Sequence, residues 1–309
     1  MEIKILSVNI SEEKGTVKKP VGEITFSKIG VMDDAHAGHW HRQVSLLGKE
    51  SIDRFSKTAG REIAFGEFAE NLTTEGMELV STSPLDRFSG ENIELEVTQI
   101  GKACHGSTCA IFREVGNCVM PKEGIFARVI RQGSVRPGDI LHYKPRVFRF
   151  HVVTISDRAS KGIYSDRSGP RIMNILNGHF DGKPRQIEIN HSTIPDDASS
   201  LSVLIEKSTY DDVDVIITTG GTGIGPRDIT VETLKPMLDM EIPGIMEMIR
   251  VKYGKDKPNV LLSRSIAGLI GNTLVYTLPG SVKAVNEYME EILRNLEHAI
   301  YMRHGLDIH

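Results

Sequence analysis

At 309 residues, 39% of them hydrophobic and 25% charged, the chain exceeds one ordinary compact domain and has a globular rather than a disordered balance. A formal net charge of -4 supplies no overall basic surface, so a nucleic-acid partner is not expected. The opening MEIKILSVNI turns polar at once with SEEKG, unlike a signal peptide, and no apolar stretch approaches the ~20 residues that span a bilayer. A cytoplasmic protein with no membrane partner is therefore expected.

Taken in chain order, the first half reads as β-rich. Short apolar runs at residues 2–8, 21–26, 93–100 and 140–143 are separated by polar or glycine-bearing turns. In Ile93-Glu-Leu-Glu-Val97 the alternation of apolar residues with Glu94 and Glu96 predicts a half-buried strand. The best helix candidate here is 47–57. Arg136-Pro-Gly-Asp139 is a turn leading into the last strand, and 144–147 is the expected linker.

From Phe148 the grammar changes to alternating strand and helix. Residues 148–155, 213–218 and 274–278 are β-branched and apolar, the pattern of strands covered on both faces. Helices are predicted over 168–176, over 197–207 with Asp196 or Asp197 as N-cap, and over 282–303, where Val285, Met289, Ile292, Leu293, Leu296 and Ile300 share a face. This alternation predicts a three-layer α/β domain. The expected division is a β-rich domain over 1–145 and an α/β domain over 148–309.

The most informative stretch is Val215-Ile-Ile-Thr-Thr-Gly-Gly-Thr-Gly-Ile-Gly-Pro-Arg-Asp-Ile-Thr230. A strand pattern ends in four glycines, at 220, 221, 223 and 225. Glycine permits close ligand approach, and clustered backbone N–H groups bind anions. The competing reading is a tight turn without a ligand. The loop is neither a Walker A sequence nor a G-x-G-x-x-G fingerprint.

Thr218-Thr-Gly-Gly-Thr-Gly223 with Pro226-Arg-Asp-Ile-Thr230 resembles the signature of the molybdopterin-binding, adenylyltransferase-type domain. Ser156-Asp-Arg-Ala-Ser-Lys-Gly162, Asp166-Arg-Ser-Gly169, Ile194-Pro-Asp196, Ser263-Arg-Ser-Ile-Ala-Gly268 and Leu278-Pro-Gly-Ser-Val-Lys-Ala-Val285 extend the resemblance across 148–309. Val282 stands where relatives often carry proline. The resemblance implies ATP- and Mg²⁺-dependent transfer of AMP to the terminal phosphate of molybdopterin. It makes Asp196 and Asp228 the catalytic or Mg²⁺-binding carboxylates. It places Gly220, Gly221, Thr222 and Gly223 around phosphate or pterin, with Ser263, Ser265, Gly280 and Ser281 lining the same pocket. It also implies a homo-oligomer, a trimer in much of the family. Read without it, Asp228 is rather an exposed ion-pair partner of Arg227 or a helix cap, and Asp196 rather an N-cap, since Asp is a common cap.

In the first half, Asp34-Ala-His-Ala-Gly38 and Trp40-His-Arg-Gln-Val-Ser45 resemble a motif of the MOSC domain, named after the C-terminal region of molybdenum-cofactor sulfurases. Phe65-Gly-Glu-Phe-Ala-Glu-Asn-Leu72, Gly101-Lys-Ala-Cys-His105, Gly124-Ile-Phe-Ala-Arg-Val129 and Gly133-Ser-Val-Arg-Pro-Gly-Asp139 agree with it. Asp33 stands where the family more often has glycine. The resemblance implies a β-barrel-like domain that binds, carries or sulfurates molybdenum cofactor. Asp34, His36 and Arg42 are its implied binding residues, Arg128 a further phosphate candidate, and Cys109 the implied molybdenum-ligating or catalytic thiol, ahead of Cys104 and Cys118. Thiolate suits either task. Two other readings stay open: a zinc site built from His36, His39, His41 and the cysteines, or thiols that are merely small core residues.

A bidomain protein of molybdenum-cofactor metabolism is the resulting expectation, with a molybdoenzyme as recipient of the product. A non-enzymatic carrier of molybdopterin or cofactor, or a sensor of cofactor status, is the alternative.

Overall fold

The computed structural model describes residues 1–103 and 118–306. The chain divides into two compact units, Met1–Arg146 joined by the residues from Gly305, and Val147–His304.

In the first unit seven strands close into a barrel. They are β1 (Glu2–Ile10), β5 (Val44–Gly48), β6 (Leu72–Glu75), β7 (Arg87–Ser89), β8 (Glu94–Ile100), β9 (Ile125–Arg131) and β11 (Ile140–Lys144). The ring runs β11-β7-β8-β9-β5-β6-β1 and closes where β1 pairs with β11, so neither end of the ring is left as an open edge. Only β5 and β6 pair in parallel within the ring, and helix α1 (Lys49–Ala59) lies between them in sequence. The short β2 (Lys19–Val21) pairs with β1, while β3 (Ile24–Ser27), β4 (Gly30–Val31) and β10 (Gly133–Val135) form a small separate sheet. The one-turn helix α2 (Met120–Glu123) precedes β9.

Barrel strands alternate sides, and the inward set forms one core that includes Ile3, Ile5, Val44, Leu46, Leu72, Phe88, Leu95, Val97 and Ile125. Each such side chain stabilises the unit by roughly 1.5–3 kcal/mol through burial. The β8 alternation is present, yet Glu96 is buried because Arg87 and Arg128 both reach its carboxylate. Two sequence boundaries shift. Leu47 belongs to the fully buried β5 and the helix starts at Lys49, while the run 21–26 breaks at Gly22-Glu23 into β2 and β3.

The second unit is a six-stranded sheet ordered β13-β12-β14-β17-β16-β15. Its parallel part comprises β12 (Val147–Ile155), β13 (Gln186–Ile194), β14 (Val215–Thr219) and β17 (Thr273–Leu278). The strands β16 (Ala267–Ile270) and β15 (Met240–Glu241) add antiparallel. The central β14 and β17 are buried at every residue, as a sheet covered on both faces requires. The helices are α3 (Asp157–Ser160), α4 (Ser168–Phe180), α5 (Ala198–Tyr210), α6 (Thr230–Leu234), α7 (Pro243–Gly254), α8 (Val282–Leu293) and α9 (Leu296–Arg303). The segment 282–303 is thus two helices. The backbone leaves helical geometry at Asn295 (φ -119°), a residue type whose side chain competes with helical hydrogen bonding. Among the described residues no helix is long and apolar enough to cross a membrane.

Candidate functional site

Strand β14 delivers its glycines to the carboxyl edge of the sheet, where open α/β folds bind ligands. Gly220 (φ 109°) passes so close to β12 that a Cβ would lie 2.2 Å from the Ile155 carbonyl oxygen. At Gly221 (φ 61°) a Cβ would lie 2.4 Å from Thr230 Oγ1. Both positions therefore demand glycine for packing, before any ligand is considered. Beyond them the loop is tied down by its own residues. Asp228 Oδ2 accepts the Gly225 N–H at 2.7 Å, and Asp228 N–H donates to the Gly225 carbonyl at 3.0 Å. Arg264 donates through its backbone N–H to Thr222 O at 3.0 Å and through Nε to Gly223 O at 2.7 Å, while its guanidinium pairs with Glu232.

Facing this loop are the turn 279–281 and Ser263. Ser281 caps α8 by accepting the Ala284 N–H at 3.2 Å, and Lys283 and Ala284 of the helix's first turn line the same space. The result is a cavity of about 670 Å³. Of the expected residues it brings together Gly221, Thr222, Gly223 and Asp228 on one side, and Ser263, Gly280 and Ser281 on the other. Tyr288, buried on α8, donates to Ser263 Oγ at 3.0 Å and fixes that hydroxyl.

Three expected residues lie elsewhere. Gly220 sits beneath the loop, packed on Ile155 and Gly280. Ser265 is buried behind Ser263, their hydroxyls 3.0 Å apart. Asp196 exchanges hydrogen bonds with Asp157: its Oδ2 accepts the Asp157 N–H at 3.0 Å, and its N–H donates to Asp157 Oδ1 at 3.3 Å. This pair joins the ends of β12 and β13, while the N-cap of α5 is Asp197, which accepts the Ser200 N–H at 2.7 Å. Neither Asp196 nor Asp157 lines the cavity.

Sequence reasoning missed Lys257, Lys283, Glu287 and Tyr288, all of which line it. Helical spacing from the Ser281 cap could have found Glu287 and Tyr288, which stand three and four residues beyond Ala284 on one face. Lys257, which pairs with Glu287, carried no motif signal.

The first unit treats its motif residues differently. Asp34 is buried and pairs with Lys18, whose side chain is 1% exposed. Its carboxylate also accepts the Ser11 N–H at 3.1 Å and the His36 N–H at 3.0 Å. Burial opposes its ionisation, but hydrogen bonds from His36 and the charge of Lys18 outweigh that and hold it well below the usual carboxylate range. Asp33, the departure from the family's glycine, takes a left-handed φ of 62°. Its neighbour Asp34 N–H donates to Val31 O at 3.4 Å.

Arg42 lies with its guanidinium carbon 4.8 Å from the Trp40 ring centre and 5.9 Å from that of Phe126, and its buried Nε has no hydrogen-bond partner among the described residues. His41 Nε2 is 3.0 Å from Gln99 Oε1, and His39 is exposed. Arg128 is committed to Glu96 through two contacts of 2.9 and 2.6 Å. Cys104 and Cys109 lie outside the described residues, and Cys118 is half-buried against the cluster containing Leu47, Ile52 and Phe68. Among the described residues no group of three or more His, Cys, Asp or Glu is arranged to hold a metal ion.

The comparisons with known proteins divide along the same two units. A family model described as a molybdopterin binding domain matches residues 151–298, and the MOSC domain model matches 33–142. A protein named molybdopterin adenylyltransferase from Pyrococcus furiosus is 35% identical over 164 residues, 50% of this chain and 93% of its own. Gephyrin from Dictyostelium discoideum is 40% identical over 155 residues, 48% of this chain but 21% of its own length. This chain thus spans about a fifth of that relative. A solved structure titled tungsten cofactor synthesizing protein MoaB, also from Pyrococcus furiosus, is 32% identical with a TM-score of 0.45, covering 53% of this chain and 99% of its own. The chain belongs, through its second unit, to the molybdenum cofactor biosynthesis family of molybdopterin-binding proteins, and it carries a MOSC domain in its first.

Proposed function

We propose that the second unit transfers AMP from ATP to the terminal phosphate of molybdopterin, and that the first unit binds the resulting cofactor. An oxygen of the pterin phosphate attacks the α-phosphorus of ATP, the bond from that phosphorus to the bridging oxygen breaks, and pyrophosphate leaves with the electron pair. The observation that carries this reading is the single cavity shared by the glycine loop, Asp228 and the start of α8. Phosphoryl chemistry depends chiefly on positioning and charge neutralisation. Backbone amides of the loop and the helix start suit the first need, and Lys257 and Lys283 in the same cavity suit the second. The relative named molybdopterin adenylyltransferase, matched over nearly its whole length, supports the same chemistry.

The residues fit a magnesium ion. Asp228 spends Oδ2 on the Gly225 N–H, and Oδ1 takes no hydrogen bond from the described residues. One or two carboxylate oxygens completed by water and substrate phosphate is the usual protein share of a Mg²⁺ site. Asp228 would hold the ion, which would supply charge neutralisation on the transferred group. Asp196, whose Oδ2 accepts the Asp157 N–H, does not line the cavity and would not share the ion.

The test is pyrophosphate release from ATP by the full chain with molybdopterin and Mg²⁺, beside Asp228→Asn. Molybdopterin-dependent release that the substitution reduces by about a hundredfold or more supports the transferase. Tight pterin binding with no release by the unaltered chain overturns it in favour of a carrier.

A further inference from the structure

Two carbonyls in the cavity wall are held from behind by hydroxyls that do not themselves line the cavity. Thr219 Oγ1 donates to Pro279 O at 3.0 Å, and Ser168 Oγ donates to Gly280 O at 2.6 Å. Every described peptide bond is trans, so the C=O and N–H of one peptide unit point in opposite directions. Drawing the Pro279 carbonyl toward Thr219 therefore turns the Gly280 N–H away from it. Drawing the Gly280 carbonyl toward Ser168 turns the Ser281 N–H away in the same manner. Gly280 and Ser281 line the cavity, and neither amide donates to a described residue.

Ser168 is in turn placed by Asp166. One carboxylate oxygen of Asp166 accepts the Ser168 N–H at 2.9 Å and the Gly169 N–H at 3.2 Å. The other accepts the Thr154 hydroxyl at 2.7 Å and stands 3.1 Å from His191 Nε2. The start of α4 is thereby tied to β12 through Thr154 and to β13 through His191. Gly169 packs against this cluster, so that a Cβ there would lie 2.3 Å from His191 Nε2 and 2.5 Å from Asp166 Oδ2 and would displace one of them. Ser168 and Thr154 are both buried, so water does not compete for these bonds.

We propose that Asp166 and Ser168 are positioning residues for the nucleotidyl transfer. They hold the Gly280 carbonyl back so that the Ser281 amide meets the phosphate chain of the nucleotide, as Thr219 does for the Gly280 amide through the Pro279 carbonyl. The identity of that anion rests on the adenylyltransferase reading; the clamp itself does not. Asp166 and Ser168 touch no substrate and act through the peptide unit they orient.

The experiment uses the full chain and inorganic pyrophosphate as probe, with affinity measured by titration calorimetry for the unaltered protein, Ser168→Ala and Ser168→Thr. Thr219→Val removes the second clamp at nearly constant shape and serves should Ser168→Ala not fold. Loss of either hydroxyl is expected to weaken pyrophosphate binding about tenfold, the scale of one orienting hydrogen bond, while Ser168→Thr retains most of the affinity. In the transfer assay the KM for ATP rises by a similar factor with kcat changed little. A merely structural role would instead lower the active fraction, and with it kcat, at constant KM. If the unaltered chain binds no pyrophosphate, or both hydroxyl-deleted variants bind it as tightly as the unaltered chain, the proposal falls. If the hydroxyl matters for binding but the unaltered chain transfers no AMP, the transfer reading fails and the anion-positioning role stands. If AMP transfer proceeds with an unchanged KM in Ser168→Ala and in Thr219→Val, the positioning role fails and the transfer reading stands.

Discussion

Asp228 in the second unit and Asp34 in the first both sit in loops where the sequence marks a binding motif, and the structure uses them in opposite ways. Asp34 meets Lys18, Ser11 and the backbone of His36, all from its own unit, and is left almost no surface. Asp228 ties only one turn of loop and otherwise faces a cavity. Identical side chains can thus close a fold or open a site, and the count of internal partners tells them apart. A carboxylate whose oxygens are satisfied internally contributes to stability. One with an oxygen left over and a cavity in front of it is available for a ligand.

The sharpest way to break this contrast is to remove Lys18. Lys18→Met leaves Asp34 buried without its counter-charge, and we expect the first unit to lose about 3–5 kcal/mol. Urea unfolding followed by hydrogen exchange in peptides of residues 1–103 measures it. A loss below about 1 kcal/mol would show that Asp34 reaches water or another partner.

A smaller effect concerns Glu70, fully buried beside the same locus, with Oε1 accepting the Gly66 N–H at 2.6 Å and the Thr73 hydroxyl at 2.9 Å. Burial pushes its carboxyl above the ordinary 4.5, against the hydrogen bond from Gly66. The folded state therefore favours the protonated acid. Its contribution is fully present below the ordinary value and is lost as pH rises through the raised one. Glu70→Gln keeps the accepting oxygen and removes the titration. The variant is expected to be more stable at neutral pH by on the order of 1 kcal/mol, with the difference vanishing near pH 4. A difference that grows as pH falls would contradict the assignment. Smallest of all, Asp33→Gly relieves a left-handed residue and is expected to stabilise the first unit by no more than about 1 kcal/mol, read as a small rise in Tm.

Much of this was legible in the sequence because its physical causes are local. A run of β-branched residues ending in glycines forces β14 and its loop, and the Pro279-Gly280-Ser281 turn starts a helix with a serine cap. What was not legible depends on neighbours distant in sequence. Strand β13 escapes the pattern because it lies at the sheet edge and none of its residues is fully buried. The break at Asn295 is invisible to a hydrophobic stripe that continues through Leu296 and Ile300, both buried. Asp196 fits its motif but lies outside the cavity, beside Asp157 thirty-nine positions away, and Lys257 enters the cavity through a pairing with Glu287 that no spacing announces.

The most direct measurement is pyrophosphate release by the full chain and by Asp228→Asn, with urea unfolding of both proteins alongside. Asparagine keeps an oxygen to accept the Gly225 N–H, so Asp228→Asn is expected to stay within about 1 kcal/mol of the unaltered chain in stability and to lose release by about a hundredfold or more. Release that persists in a folded Asp228→Asn protein would contradict the claim that the cavity beside the glycine loop, with Asp228 at its edge, is where the chemistry occurs.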